Sequence, residues 1–126
     1  MTGADNARRW LDAREPGPPA ELRERMLAAL AEVAASTPVP AVLAEAGLSC
    51  FRAALSAVHA GTSQRTGAGL TPTALDLLAG DALLTYACEA AAEEGSEALA
   101  ALAREYGAAR LARLLDLEGN GEPDRP

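Results

Sequence analysis

The sequence contains no lysine and no isoleucine, and its 126 residues include one histidine, one tryptophan, one phenylalanine and two tyrosines. Strands favour β-branched and aromatic side chains, whereas the alanine and leucine that dominate this chain favour helices. We therefore predict an all-α protein. Because each buried alanine removes little surface from water, the core is expected to be thin, and self-association is expected to add stability.

Positive charge is also scarce. The formal net charge is −7, and residues 61–126 carry five arginines against eleven acidic side chains. An acidic surface repels nucleic acid and anionic lipid, so we expect neither as a partner. The N-terminal residues lack the apolar stretch of a signal peptide, and no uncharged apolar run reaches the roughly 18 residues that a membrane span needs. We therefore expect a cytoplasmic protein without a membrane span.

Residues that support catalysis or metal binding are few. Cys50 and Cys88 are far apart in the sequence, and as cysteines of apolar helices both are predicted to be buried and reduced. With His59 as the single histidine there is no Cys/His cluster for zinc, and no nucleophile elbow is present. Glu89 and Glu93 lie one helical turn apart and could hold a hard cation, but we favour a solvated acidic edge. The sequence thus predicts no cofactor, no metal site and no catalytic residue.

Proline and glycine divide the chain into segments. Residues 1–18 are predicted to form a short helix, about Asp5–Ala13, followed by a proline-rich linker, and residues 119–126 a flexible polar tail. Residues 19–118 are predicted to form a single bundle domain. Its four main helices are expected at about 19–35, 39–60, 72–94 and 97–117.

Four of the predicted helix boundaries rest on specific residue types. Thr71 and Pro72 suit the N-cap and first turn of the helix at 72–94, and Ser96 suits the N-cap of the next helix. Gly61 and Gly95 can end the two helices that precede them, because glycine tolerates the left-handed backbone of a helix C-terminus.

The helix at 72–94 is apolar on nearly all sides, so it is predicted to be the central one. Asp81 lies in its middle without a cation one turn away. Three interpretations are open: Asp81 is buried and paired with Arg52 or a backbone end, it lines a small polar cavity with His59, or it faces solvent. We favour a structural ion pair with Arg52 or His59. The hypothetical ligand-binding residues are therefore Asp81, His59, Arg52 and, in the following loop, Arg65.

The segment Leu77–Glu89, LLAGDALLTYACE, resembles a helix of the trans-isoprenyl diphosphate synthases, the polyprenyl synthetase family. That resemblance implies an all-α fold in which Gly80 permits close helix packing. Members of the family join allylic and homoallylic diphosphates with Mg²⁺ held by two aspartate-rich motifs. This chain has no Asp-Asp pair anywhere and has Cys88 where the family has an aromatic residue, so the resemblance does not extend to prenyl transfer.

Two kinds of function follow from these observations. The first is a small non-catalytic helical protein that acts by self-association or by binding a partner protein, through the apolar side of the helix at 19–35 or at 97–117. The alternative is a binder of a small apolar molecule, such as an isoprenoid or acyl chain, in a cavity near Gly80, Ala82 and Ala87. An open space there favours the binder, whereas larger side chains filling it disfavour the binder.

Overall fold

The computed structural model describes residues 2–33, 38–61 and 71–119. Within these ranges the protein is all-α and contains no strand, as the composition predicts. The predicted flexible loop after Gly61 and the predicted polar tail after residue 119 lie outside the described residues. The helices of the described ranges are α1 (Gly3–Asp12), α2 (Ala20–Ala31), α3 (Val39–His59), α4 (Pro72–Glu94), α5 (Ser96–Tyr106) and α6 (Ala108–Gly119).

Local sequence fixes several helix ends in the expected way. The Thr71 hydroxyl accepts a hydrogen bond from the Ala74 amide at 3.0 Å, and Pro72 opens α4 behind it. Gly61 follows α3 with φ of +74°, and Gly95 ends α4 with φ of +132°, both in a region that favours glycine. These boundaries were correctly predicted from residue type.

Other boundaries differ from the prediction. The first helix begins at Gly3 because Thr2 caps it: its hydroxyl accepts from the Asp5 amide, whose carboxylate accepts in return from the Thr2 amide. The second helix ends at Ala31, short of the predicted residue 35. The N-cap of α5 is Gly95, with Ser96 already the first helical residue.

The predicted long helix at 97–117 is two helices that meet at Gly107. Gly107 has an extended backbone, and a Cβ atom added there would clash with the backbone oxygen of Ala103. The break turns α6 back onto α3 and buries Leu114. The amphipathic pattern continues through Gly107, which is why periodicity alone predicts one helix.

The central helix is α3, and the prediction that α4 is central is wrong. α3 packs against each of the other five helices of the described ranges, whereas α4 packs mainly against α2, α3 and α5. Leu77 and Leu78 of α4 are 46% and 45% exposed. The physical reason is that α4 consists mostly of alanine and leucine, a composition that does not distinguish a buried side from an exposed one.

The closest helix contact joins α3 and α4 through two glycines. A Cβ atom added at Gly80 would lie 2.7 Å from the Phe51 ring and 3.0 Å from the backbone oxygen of Gly47. A Cβ atom added at Gly47 would lie 3.1 Å from the backbone oxygen of Gly80. The two backbones approach this closely because neither position carries a side chain. Close packing at Gly80 was predicted, but the space beside it is filled by Phe51.

The apolar side of α2 is buried inside the bundle, where Met26, Ala29 and Leu30 are at most 1% exposed. α1 lies against α2 and α3 and buries Ala7 and Leu11. The apolar side of α2, predicted from sequence as a possible association surface, is therefore buried within the single chain.

By length and composition α3 also qualifies as a membrane-spanning helix. The core helix of a globular protein meets the same criteria, and 44% of the 18-residue apolar stretch of α3 is buried. Its buried residues are Pro40, Val42, Leu43, Ala44, Ala46, Gly47, Leu48, Cys50 and Ala54.

Replacing Gly80 with alanine tests the glycine contact. Alanine raises helix propensity by about 1 kcal/mol, but crowding against Phe51 and Gly47 typically costs about 1–3 kcal/mol. We expect Gly80→Ala to lower the free energy of unfolding by up to about 2 kcal/mol in urea denaturation, since the crowding outweighs the propensity. The control is Arg52→Ala, an exposed position of α3 next to Phe51, which should lie within about 0.5 kcal/mol of wild type. A Gly80→Ala protein more stable than wild type would contradict the close contact.

Candidate functional site

Asp81, Arg52 and His59 are exposed, so the predicted core ion pair of Asp81 is wrong. Of the three interpretations, solvent exposure of Asp81 is the one observed. Across the described ranges no ion pair joins Asp81 to Arg52 or His59. Arg65 lies outside the described residues. The structure therefore does not assemble the predicted ligand-binding group.

Asp81 belongs to a surface that we call the outer face, formed by the exposed sides of α4 and α5. Residues at spacings of four, seven and eleven along a helix lie on one side of it, and Leu77, Asp81, Leu84 and Cys88 follow this spacing. The exposed members of the outer face are Leu77, Leu78, Asp81, Thr85, Cys88 and Ala92 on α4, with Leu99, Ala100, Ala103 and Arg104 on α5.

A groove runs between the two helices of the outer face. It has a volume of about 230 Å³ and is lined almost wholly by carbon. Across it, the side of α5 that contains Leu99 and Ala103 faces the side of α4 that contains Leu84 and Cys88. The full lining is Leu84, Cys88, Leu99, Leu102, Ala103, Tyr106 and Gly107.

Tyr106 at the end of the groove is anchored to the central helix. Its hydroxyl donates to Glu45 at 2.9 Å, and the Arg110 guanidinium lies 3.4 Å from the same carboxylate oxygen. Burial, followed by the hydrogen bond to Glu45, raises the pKa of Tyr106 to about 12, so the phenol stays protonated and keeps donating. The contact holds α5 in place beside α3.

Three exposed charges on these sides of α4 and α5 have no partner in the described part of the chain: the carboxylates of Asp81 and Glu97 and the guanidinium of Arg104. Glu97 and Arg104 lie on the same side of α5 because they are seven residues apart. Near Asp81, the Thr85 hydroxyl donates to the backbone oxygen of Asp81 at 2.9 Å and leaves the carboxylate free. All three charges are therefore available to another molecule.

The two cysteines differ in accessibility. Cys50 is fully buried as predicted, but Cys88 is exposed, so the prediction that both are buried is wrong for Cys88. Both are free thiols. Burial raises the pKa of Cys50 to about 11, so its reactive thiolate is almost absent at neutral pH.

Thiol labelling distinguishes these two environments. With a maleimide reagent at neutral pH we expect one thiol of the native protein, Cys88, to react rapidly and Cys50 to react only after unfolding. Mass spectrometry of the labelled protein against time measures this. A Cys88→Ser variant is the control and should show no rapid phase. Rapid labelling of that variant would contradict the burial of Cys50.

A polar cluster lies on another side of α4, where the end of α1 and the segment after α1 contact α4. Trp10 Nε1 donates to one Glu93 oxygen at 2.9 Å, and Arg14 donates to the other at 2.8 Å. The Arg14 guanidinium stacks 4.0 Å above the Trp10 ring, and the Trp10 ring meets Tyr86 edge-on with 6.0 Å between centroids. The buried Nε of Arg14 has no hydrogen-bond partner in the described residues.

A cleft of about 510 Å³ adjoins this cluster, and its lining includes Arg14, Tyr86 and Glu89. The Arg14 guanidinium is already engaged by Glu93 and lies 3.9 Å from Glu89. The cluster therefore acts as a structural tie that holds the N-terminal segment to α4. Sequence reasoning treated Glu93 as part of a solvated acidic edge and missed this role.

The tie is expected to depend on pH. Hydrogen bonds from Trp10, then Arg14, lower the pKa of Glu93 from its ordinary value of 4.5. A lowered folded-state pKa adds stability above about pH 4.5, and this stability is lost as the pH falls through the folded-state pKa. The urea concentration at the midpoint of unfolding should therefore be higher for wild type than for Glu93→Gln at pH 7. This difference should shrink in acid. A difference that stays constant from pH 7 to pH 3 would contradict the tie.

The described ranges contain no group of three or more His, Cys, Asp or Glu side chains arranged to hold a metal ion. The one deeply placed charge pair, Arg25 with Asp76, joins α2 to α4. Its position between two packed helices indicates a structural role.

No protein-family model, curated protein or solved structure matches this chain. The resemblance of Leu77–Glu89 to the isoprenyl diphosphate synthases therefore stays an expectation from one helical segment. This resemblance gives no evidence about what this chain binds.

The residues that distinguish the outer face were mostly absent from the predicted site. Leu77, Leu99 and Arg104 were not candidates, and only Asp81 was. A signal was present in the sequence: Asp81, Thr85 and Glu89 recur every four residues, which marks a polar side of α4. If this polar side of α4 faces solvent, the neighbouring Leu77 and Leu78 are expected to be exposed as well.

Proposed function

We propose that this chain is a small non-catalytic helical protein that acts by self-association through the outer face of α4 and α5. The observation that carries the proposal is the exposure of three leucines on this one surface: Leu77, Leu78 and Leu99 are 46%, 45% and 37% exposed. Leu77 and Leu78 are neighbours at one end of this surface, and Leu99 lies at the other end, beside Gly95. Exposed large apolar side chains that share one surface are typical of interaction sites.

The composition of the face supports protein as the occupant. Small side chains such as Thr85, Ala100 and Ala103 lie between the leucines, so a second helix can approach closely. Such a contact would also bury apolar surface that the alanine-rich core of one chain does not supply.

A small apolar ligand in the groove between α4 and α5 is the second candidate function, because that groove is lined almost wholly by carbon. Its volume of about 230 Å³ is below the roughly 300–1,000 Å³ typical of ligand pockets. The cavity expected beside Gly80 is filled by Phe51. The size of this groove therefore disfavours an isoprenoid or acyl chain there, whereas a largely apolar pocket of about 340 Å³ between the start of α3 and α5 falls within the typical range.

Sedimentation velocity across a micromolar concentration series tests the proposal. We expect wild type to form a reversible dimer and Leu77→Glu to weaken it at least about tenfold, because each copy loses a buried leucine and gains a charge to desolvate. The matched control is Leu115→Glu on α6, since Leu115 is 55% exposed but lies outside the outer face.

Three results decide the proposal. Dimer formation by wild type and Leu115→Glu, but not by Leu77→Glu, supports it. A wild-type protein that is monomeric at every concentration contradicts it. Equal dimerisation of all three proteins contradicts the outer face as the surface. Native mass spectrometry on the same samples tests the second candidate, which requires a bound small molecule.

A further inference from the structure

A pocket of ligand size lies between the first turn of α3 and a different side of α5 from the one that contributes to the outer face. Its volume of about 340 Å³ lies within the roughly 300–1,000 Å³ typical of ligand pockets. Ala98, Ala101 and Glu105 line it at spacings of three and four residues, which places them on one side of α5. Pro38 and Pro40 line it from α3. We call this the α3–α5 pocket.

The walls of the α3–α5 pocket are mainly apolar and are held in place by the fold. Pro40 and Leu102 are buried, and the rings of Pro38 and Pro40 fix the backbone at the start of α3. The Tyr106 ring is anchored by the hydrogen bond from its hydroxyl to Glu45 at 2.9 Å. A site that is already formed loses less conformational entropy when a ligand binds.

The charged side chains that line the pocket are both acidic. Glu94 is the last residue of α4, and Glu105 lies in the last turn of α5. Glu94 is exposed and forms no ion pair in the described part of the chain. Glu105 lies 3.7 Å from the Arg110 guanidinium, which also lies 3.4 Å from Glu45. Because two carboxylates share this one cation, the surroundings of the pocket keep a net negative charge.

The helix ends at the pocket do not change this sign. α3 begins there, and a helix N-terminus carries about half a positive charge. α4 ends there at Glu94, and a helix C-terminus carries about half a negative charge. These partial charges offset each other, and α4 has no basic residue in its last turn. The carboxylates therefore determine the potential in the pocket.

We propose that the α3–α5 pocket binds a small organic cation, a molecule with an apolar body and one ammonium group placed at Glu94. The body packs against the prolines and Leu102, and the carboxylate pairs with the ammonium group. The same negative charge disfavours the head group of an acyl chain or an isoprenoid diphosphate. The proposal is independent of self-association, because none of the exposed leucines of the outer face lines this pocket.

The size of the pocket favours a small molecule over a protein partner. A specific protein interface buries about 800 Å² on each partner, whereas this pocket is bounded by the first turn of α3 and one side of α5, a helix of 11 residues. Its volume suits a molecule of few heavy atoms, for which we expect a dissociation constant on the order of a millimolar.

Titration followed by two-dimensional ¹H–¹⁵N NMR tests the proposal with three probes that share one alkyl chain. The probes are hexylamine, hexanol and hexanoate at neutral pH, where an alkyl amine is protonated and a carboxylate is ionised. We expect hexylamine to shift the amide signals around Ala41, Ala98 and Leu102. It should bind at least about threefold more tightly than hexanol, and hexanoate should bind more weakly than either.

Two variants separate the contribution of charge from that of shape. Glu94→Gln should weaken hexylamine binding about threefold and leave hexanol unchanged. Its control is Glu97→Gln, an exposed position of α5 outside the pocket lining, which should change neither. Ala101→Trp, from an exposed position of the lining, fills the pocket and should weaken both probes at least about tenfold. Its control is Ala112→Trp, at an exposed position of α6. Circular dichroism verifies that every variant is folded.

The pattern of binding decides the proposal. A preference for hexylamine that is lost in Glu94→Gln, with both probes weakened in Ala101→Trp, supports it. Equal binding of hexylamine and hexanoate, an unchanged preference in Glu94→Gln, unchanged binding in Ala101→Trp, or no shift around the pocket at any hexylamine concentration overturns it. Binding of a lysine-containing peptide there without binding of hexylamine assigns the pocket to a protein partner and also overturns it. Sedimentation of the unliganded protein bears only on the outer face, so the two proposals fail separately.

Discussion

The arrangement of this protein depends on the contact between α3 and α4 at Gly47 and Gly80. With no side chain at either position, the two backbones approach until the ring of Phe51 fills the remaining space beside Gly80. That approach makes α3 the helix around which the others pack. It also fixes the rotation of α4: the side that carries Gly80 and Leu83 faces inward, so the side that carries Asp81 faces solvent.

Charged side chains connect the other helices of the bundle to α3 and α4. Arg25 joins α2 to Asp76 of α4, Glu93 of α4 holds Trp10 and Arg14 of the N-terminal segment, and Glu45 of α3 holds Tyr106 and Arg110. Each of these charges serves packing within one chain. Asp81 and Arg104, like the exposed Glu97 and Arg113, have no such role in the described residues. The exposed leucines of α4 and α5, rather than the charges, distinguish the outer face as an interaction surface.

The sequence predicted the all-α class and the positions of most helices, because capping residues, proline, glycine and helix propensity act locally. Close packing at Gly80 was expected only from the resemblance of Leu77–Glu89 to a helix of another family. The sequence did not predict which helix is central, the exposure of Asp81 and Cys88, or the break at Gly107. Those features depend on which side of a helix meets a neighbour, and a helix of alanine and leucine does not encode that choice strongly. The tie between Trp10 and Glu93 joins residues far apart in the chain, so no local pattern indicates it.

Dilution of an isotope-labelled sample, followed by two-dimensional ¹H–¹⁵N NMR, tests the outer face most directly, because it locates an interface residue by residue without any substitution. Self-association through this face predicts that amide signals around Leu77, Asp81, Cys88, Leu99 and Arg104 shift together as the complex dissociates, while those of α1 and α6 stay in place. Shifts centred on α1 or α6, or spectra that do not change with concentration, would contradict it.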